Sequence, residues 1–374
     1  MFEQHSKYTQ TCSACPSLCQ SVCPVHVNTG NKSVAPWGMM QLLKGVAEKD
    51  IPFSPEIAAV SYNCTTCRAC VEQCEHKVPI PSILEDVRNM AVKEGKAPEE
   101  IQGFLEKFHR HNNPFSKDLL ERLKTLVPED ILSKNTPVVY YATCTSITKC
   151  PEIVQDTFSL FKKLKIDFVS LYADPIQCCG YPLYSAGAHY DFVDLAEINY
   201  HSLKKYKLIV TGSPACAWTL KEVYAKYDFD IASKVVTINE FLKPYLKNIN
   251  FKVKRNIRTK LMYHDPCYLS RYLNEADLPR EMISGVSGYA PIEFHDNHTH
   301  SQCSGQGGCY SVVNKKSADE ITKKRLREAY EKKVKTVVSQ CPTCIFKMRQ
   351  NSTGLIVRDV ISYLNESIQG IADE

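Results

Sequence analysis

Cysteine is the residue around which this sequence is spaced. Residues 12–24 read C-S-A-C-P-S-L-C-Q-S-V-C-P, which sets Cys12, Cys15, Cys19 and Cys23 in one short stretch. Residues 64–74 read C-T-T-C-R-A-C-V-E-Q-C and set Cys64, Cys67, Cys70 and Cys74 in another. Thiolates two or three residues apart can wrap several irons of one compact cluster with a single turn of backbone. Zinc sites usually pair two C-x2-C knuckles across a longer loop, so ladders this dense point to iron–sulfur chemistry, with a zinc-bound scaffold as the alternative. A third feature is Gln177-Cys178-Cys179-Gly180. Two adjacent side chains in a turn can lean on one metal centre while the glycine lets the backbone come close; the plainer reading is two small core residues and a turn.

The totals favour metal ligation over disulfides. The chain has 374 residues, 18 of them cysteine, and a formal net charge of +5. That charge is far short of a nucleic-acid footprint. The first residues, Met1-Phe2-Glu3-Gln4-His5-Ser6-Lys7, are polar and lead into no apolar signal core. No run of about 18 apolar residues is present to span a membrane. A cytoplasmic location follows as the expectation, and in a reducing cytosol closely spaced cysteines read as metal ligands.

Helices are expected to position the ladders, at Met39–Val46, at Glu56–Val60 and from Pro81, with Ser82 as N-cap and Glu85 completing a capping box. The connector 96–136 is polar, with breaks at Pro98 and Pro114 and a knot containing His109 and His111 that reads as surface or capping. From residue 137 short apolar runs alternate with helical periodicity, which predicts parallel sheets with right-handed crossovers. Pro137–Ala142 precedes Cys144, Asp167–Tyr172 precedes Cys178 and Cys179, and Lys207–Thr211 precedes Cys216. The plan then recurs: Lys260–His264 precedes Cys267, Ile292–His295 precedes Cys303, and Lys335–Val338 precedes Cys341 and Cys344. Ligands of open parallel sheets bind beyond the carboxyl ends of the strands, so each half should gather its thiols on one rim.

The ladder Cys64–Cys74 has the C-x2-C-x2-C-x3-C spacing of bacterial ferredoxins, and Cys12–Cys23 is the same run with one extra residue. Residues 8–95 resemble the helical ferredoxin domain of succinate and fumarate enzymes. That resemblance implies a crossover, with Cys12, Cys15, Cys19 and Cys74 on one cluster and Cys64, Cys67, Cys70 and Cys23 on the other. The later cysteines, with Tyr263-His264-Asp265-Pro266-Cys267-Tyr268-Leu269 and Leu183-Tyr184-Ser185-Ala186-Gly187, resemble the paired CCG repeats of the heterodisulfide reductase catalytic subunit. They are similar also to the iron–sulfur subunits of anaerobic glycerol-3-phosphate dehydrogenase and of glycolate and lactate oxidation complexes. The full repeat has five cysteines, but here Ser213 stands in one position of the first repeat and Ser304 in one of the second. Each keeps four thiolates, Cys144, Cys178, Cys179 and Cys216 in one and Cys267, Cys303, Cys341 and Cys344 in the other. Cys150 and Cys309 are spare, the latter on a glycine turn from which it could supply a missing ligand. His264 and Asp265 read as groups that orient the loop and tune the centre.

The expected fold is α/β with an all-helical ferredoxin domain: a two-cluster ferredoxin over residues 1–95 and a helical linker over 96–136. Two duplicated parallel α/β cysteine-rich repeats follow, over 137–250 and 251–374. The resemblance implies two [4Fe-4S] clusters in the ladders and up to two more, cubane or non-cubane, in the repeats. The chain lacks a G-x-G-x-x-G fingerprint, so no flavin or NAD site is expected. The function this implies is that of an electron-transfer subunit linking a flavoprotein dehydrogenase to a second carrier. That carrier would be a thiol/disulfide couple or a quinone-linked membrane protein that the chain meets peripherally. The alternative is a catalytic subunit reducing a heterodisulfide or quinone at Cys178 and Cys179.

Overall fold

Proline fixes the first turn of the helices that lie between the N-terminal ladders. Pro36–Ala47 and Pro55–Ser61 both open on proline, and the Ser54 hydroxyl caps the second by accepting from the Ile57 amide. The computed structural model describes residues 2–133, 135–173, 175–248, 251–253 and 260–371. The expected boundary at residue 250 lies outside the described residues.

The helix expected from Pro81 begins one residue earlier, at Ile80, and runs to Lys93. Ser82 therefore sits inside the first turn and makes no cap, and Glu85 is buried at 2% exposure. Proline early in the helix sets the start, and the apolar stripe Ile80, Ile83, Leu84 and Val87 sets the buried face.

Beyond residue 137 the strands are β1 (Val138–Tyr141), β2 (Val169–Leu171), β3 (Leu208–Thr211), β4 (Val235–Thr237) and β5 (Phe251–Val253). They continue as β6 (Leu261–His264), β7 (Ile292–Glu293), β8 (Thr336–Ser339), β9 (Ile356–Asp359) and β10 (Ile368–Ile371). One parallel sheet has the order β2-β1-β3-β4 and the other β7-β6-β8-β9, so both use the same second-first-third-fourth arrangement. The central strands are buried along nearly their whole length, as near-continuous Val, Ile and Tyr runs require. β4 and β9, the fourth strand of each sheet, are additions to the three expected per half, and β7 is shorter than expected. β5 pairs antiparallel with β10, tying the segment between the sheets to the end of the chain.

The connector is not a free spacer. Its helices Glu99–His109 and Leu119–Lys124 bury Phe108, Leu119 and Leu123 in the core of the first sheet. The second sheet's region packs both ways, giving Tyr263, Met282 and Ile361 to that core and Tyr310, Ala318 and Ile321 to the core of the ladder region. His109 is exposed and pairs with Asp191 at 3.0 Å, as a surface residue would.

Candidate metal centres

The cysteines of the ladder region divide between two adjoining cavities. Cys12, Cys15, Cys19 and Cys74 line a cavity of about 210 Å³, walled by Trp37, Val78 and Ile80. Cys23, Cys64, Cys67 and Cys70 line a second of about 20 Å³, and Cys70 borders both. Each cavity brings the last cysteine of one ladder beside the first three of the other, with Cys70 shared between them. The Trp37 indole donates to the Cys12 carbonyl at 2.8 Å, fixing the wall of the larger cavity. Burial, then Cys19, Cys74 and Cys15, push the Cys12 thiol up to about 12, and burial, against the lowering charge of Arg88, holds Cys64 at about 11. Buried thiols without a cation keep their protons, whereas iron would take the thiolate, so the donor set fits a cluster. Among the described residues no three His, Cys, Asp or Glu side chains form a group fit for a single metal ion.

In the first sheet, every expected cysteine follows the carboxyl end of a strand. Thr143 caps the helix Cys144–Lys149 with a reciprocal bond to Ser146, which presents Cys144 directly after β1. Gly180 stands at φ +86, and a Cβ there would meet Phe192 at 2.7 Å, so only glycine lets the Cys178-Cys179 turn close. The turn is pinned from behind: Asn199 donates to the Cys178 carbonyl at 2.9 Å and Tyr224 to the Cys179 carbonyl at 3.1 Å. Cys144 Sγ lies 3.6 Å from Cys178 Sγ. Hydrogen bonds to Cys144 and Cys179, then burial, push Cys178 up, while the Cys178 and Cys216 thiols bring Cys179 down. Four thiols thus converge, with Cys179 at their centre. Cys178 and Cys179 are 1% and 2% exposed.

The second sheet repeats the placement. Cys341 caps the helix Pro342–Asn351 by accepting from the Cys344 amide, and Gly305 takes φ +89 as Gly180 does. The Ser304 hydroxyl donates to Cys344 Sγ at 3.2 Å, so it lies at the thiols although it is no thiol. Cys303 lies within hydrogen-bonding reach of Cys267 and also of Cys67 from the ladder region. π-helical turns follow Cys216 and Cys267, at Thr219–Val223 and Tyr268–Tyr272.

The remaining expectations resolve locally. Asp265 is gripped by Arg280 through two bonds of 2.7 Å and accepts from the His298 amide at 2.9 Å, so it orients the loop leading to Cys303. Burial and then Arg325 hold His264 well below its ordinary range; its Nδ1 accepts from Arg325 at 3.3 Å. Cys150 is fully buried against the Pro342 carbonyl. Cys309 contacts the Pro182 carbonyl at 3.7 Å, on the side of the first sheet.

Residues with no motif of their own fill the junction of the three cysteine regions. Thr66 Oγ1 sits 2.9 Å from the Tyr181 hydroxyl and 3.2 Å from that of Tyr268, and these two phenols are 2.7 Å apart. Tyr272 donates to the Thr66 carbonyl at 2.6 Å, and Arg88, fully buried, donates to the carbonyls of Ser61, Cys64 and Ser185. The one signal in the sequence was adjacency, since Tyr181 follows Gly180 and Tyr268 follows Cys267.

Comparison with known proteins accords with this geometry. The 4Fe-4S dicluster domain matches residues 8–78, and the CCG cysteine-rich domain matches twice, over residues 138–221 and 261–349. The chain carries a 4Fe-4S dicluster domain and a pair of CCG domains. Over 384 residues it is 26% identical to one polypeptide of the dihydromethanophenazine:CoB–CoM heterodisulfide reductase of Methanosarcina mazei, covering 96% of this chain and 93% of that one. It is 25% identical to one polypeptide of the fumarate reductase (CoM/CoB) of Methanothermobacter marburgensis, over 91% of this chain and 68% of the relative. The EtfAB:quinone oxidoreductase of Syntrophomonas wolfei matches at 26% over 76% of this chain and 42% of its own length. The dicluster and CCG domains are iron–sulfur domains, and no helix among the described residues is long and apolar enough to cross a membrane.

Proposed function

We propose that this dicluster–CCG chain is an electron-transfer subunit of an oxidoreductase complex, relaying electrons between a flavoprotein dehydrogenase and a quinone-linked or thiol/disulfide carrier. Its relatives are named as subunits or enzymes of heterodisulfide, fumarate and quinone reduction. Cys12, Cys15, Cys19 and Cys74 would hold one [4Fe-4S] cluster and Cys23, Cys64, Cys67 and Cys70 a second. Cys144, Cys178, Cys179 and Cys216 would hold a third, and Cys267, Cys303, Cys341 and Cys344 a fourth, in two duplicated repeats. Such clusters, when bound, supply one-electron chemistry. No flavin or nicotinamide site belongs to this reading, in which the chain is cytoplasmic and peripheral to the cytoplasmic face of the membrane.

The contiguity of the two ladder sets with the thiols of the second repeat carries the reading. Cys70 borders both ladder cavities, and Cys67 reaches Cys303 of the second repeat. The aromatic junction of Tyr181, Tyr268 and Thr66 adjoins the ladder loop and the cysteine turns of both repeats. Cys15, Cys19 and Cys74 are partly exposed, so the first ladder site faces outward, where a partner can exchange electrons. The full burial of Cys178 and Cys179 favours relay over attack on a bulky disulfide. Mixing the dithionite-reduced holoprotein with a water-soluble quinone or with the disulfide of 2-mercaptoethanol tests this. With a quinone-linked carrier the proposal expects rapid reoxidation by the quinone and an intact disulfide. Stoichiometric disulfide cleavage would instead support catalysis at Cys178 and Cys179, and purification of the native complex identifies the donor.

A further inference from the structure

Arg271 is a buried cation with no carboxylate. It is 3% exposed, and its guanidinium spends its donors on neutral carbonyls: Nε on Cys67 at 2.5 Å, and Nη1 on Thr299 and Ser301 at 2.9 and 2.7 Å. Nη2 has no partner. Among the described residues Arg271 forms no ion pair, and the neighbouring Asp265 is committed to Arg280. A permanent charge is costly to bury without an anion. The groups that favour the Arg271 cation once they ionise are Cys67 first, then Cys267 and Cys303. Those three thiols are contiguous, since Cys303 reaches both Cys67 and Cys267. They belong to different sites: Cys67 to the second ladder set, Cys267 and Cys303 to the second repeat.

We propose that Arg271 is the shared counter-cation of these two centres and that its fixed charge raises the reduction potential of both. The proposal rests on the four-cluster reading above. Thiolate-ligated centres gain one negative charge per electron taken up, and a guanidinium that never titrates offsets that charge with no proton required. Its fork also reaches the backbone on both sides, holding the Cys67 loop against the strand-end loop that carries Cys303. Arg271 is thus a positioning and tuning residue, four places beyond Cys267 on the π-helical turn.

The test is potentiometric titration of the holoprotein and its Arg271→Gln and Arg271→Lys variants, followed by low-temperature electron paramagnetic resonance, with iron measured first. Arg271→Gln should move two of the four signals to more negative potential, so that at fixed poise the reduced-to-oxidised ratio of each falls roughly tenfold or more. Arg271→Lys should move the same two signals less. Iron lost from the Gln variant but kept in the Lys variant would also support the charge role. Unchanged potentials, movement of one signal only, equal shifts in both variants, or iron lost from both would overturn it. Wild-type protein lacking the two signals would mark failure of the four-cluster reading itself, before any variant is made.

Discussion

Substituting Gly308 by alanine should separate the two halves of the proposed electron path. A Cβ on Gly308 would lie 2.2 Å from the Cys64 carbonyl oxygen and 2.9 Å from the Thr65 carbonyl carbon, where ordinary contact begins at 3.4 Å. Backbone stands on both sides of this clash, so no side chain can swing away and the Cys64–Cys67 loop must retreat by about an ångström. Gly308 is also left-handed, at φ +65. Alanine in that conformation costs about 1–2 kcal/mol, and overpacking adds about 1–3 kcal/mol. Gly354 is the control, because its φ is +74 but nothing lies within 4 Å of its Cβ position. Gly354→Ala therefore isolates the backbone strain, and Gly308→Ala should be less stable than it by about 1–3 kcal/mol. Anaerobic urea unfolding followed by circular dichroism reads the difference, and resonance spectra should show one ladder signal altered in Gly308→Ala alone. Equal destabilisation of the two variants, with unchanged spectra, would refute the contact between the second repeat and the Cys64 loop.

Two further outcomes follow from buried charges. Asp265→Asn removes a carboxylate that grips Arg280 and receives the His298 amide. Arg280 keeps Glu293, so the loss should be about 1–3 kcal/mol, read from the shift in urea midpoint. His189 is held down at about 4 by burial, chiefly, and by the charges of Lys93 and Lys226, against an ordinary 6.5, while its ring stacks on Tyr184 and faces the Tyr227 hydroxyl. The unfolded chain takes up a proton there between pH 6.5 and 4 and the folded chain does not. Stability from this group is thus complete above pH 6.5 and falls by about 3 kcal/mol as pH drops to 4. His189→Gln should flatten that slope, and identical pH profiles would contradict it.

The sites were legible largely because cysteine spacing is local information. Two thiolates a turn apart must face one another, so the ladders and the strand-end cysteines could be read from spacing and strand pattern. The fourth strands β4 and β9 were not, because no cysteine closely follows Val235–Thr237 or Ile356–Asp359 to mark a strand end. The misplaced cap at Ser82 shows a local rule overridden: Ser-x-x-Glu fits a capping box, yet Pro81 and the burial of Glu85 start the helix sooner. Arg271 and Arg88 belong to no motif in the sequence. Only the closing of three cysteine regions around them, a long-range event, makes them interior charges.

The central claim is that four sets of four thiols each hold an iron–sulfur centre. Quantifying iron, sulfide and zinc in anaerobically purified protein, with a redox titration by low-temperature electron paramagnetic resonance, tests it most directly. The account predicts about sixteen irons per chain and four separately titrating signals. About eight irons, with signals from the ladders only, or a colourless protein loaded with zinc, would contradict it.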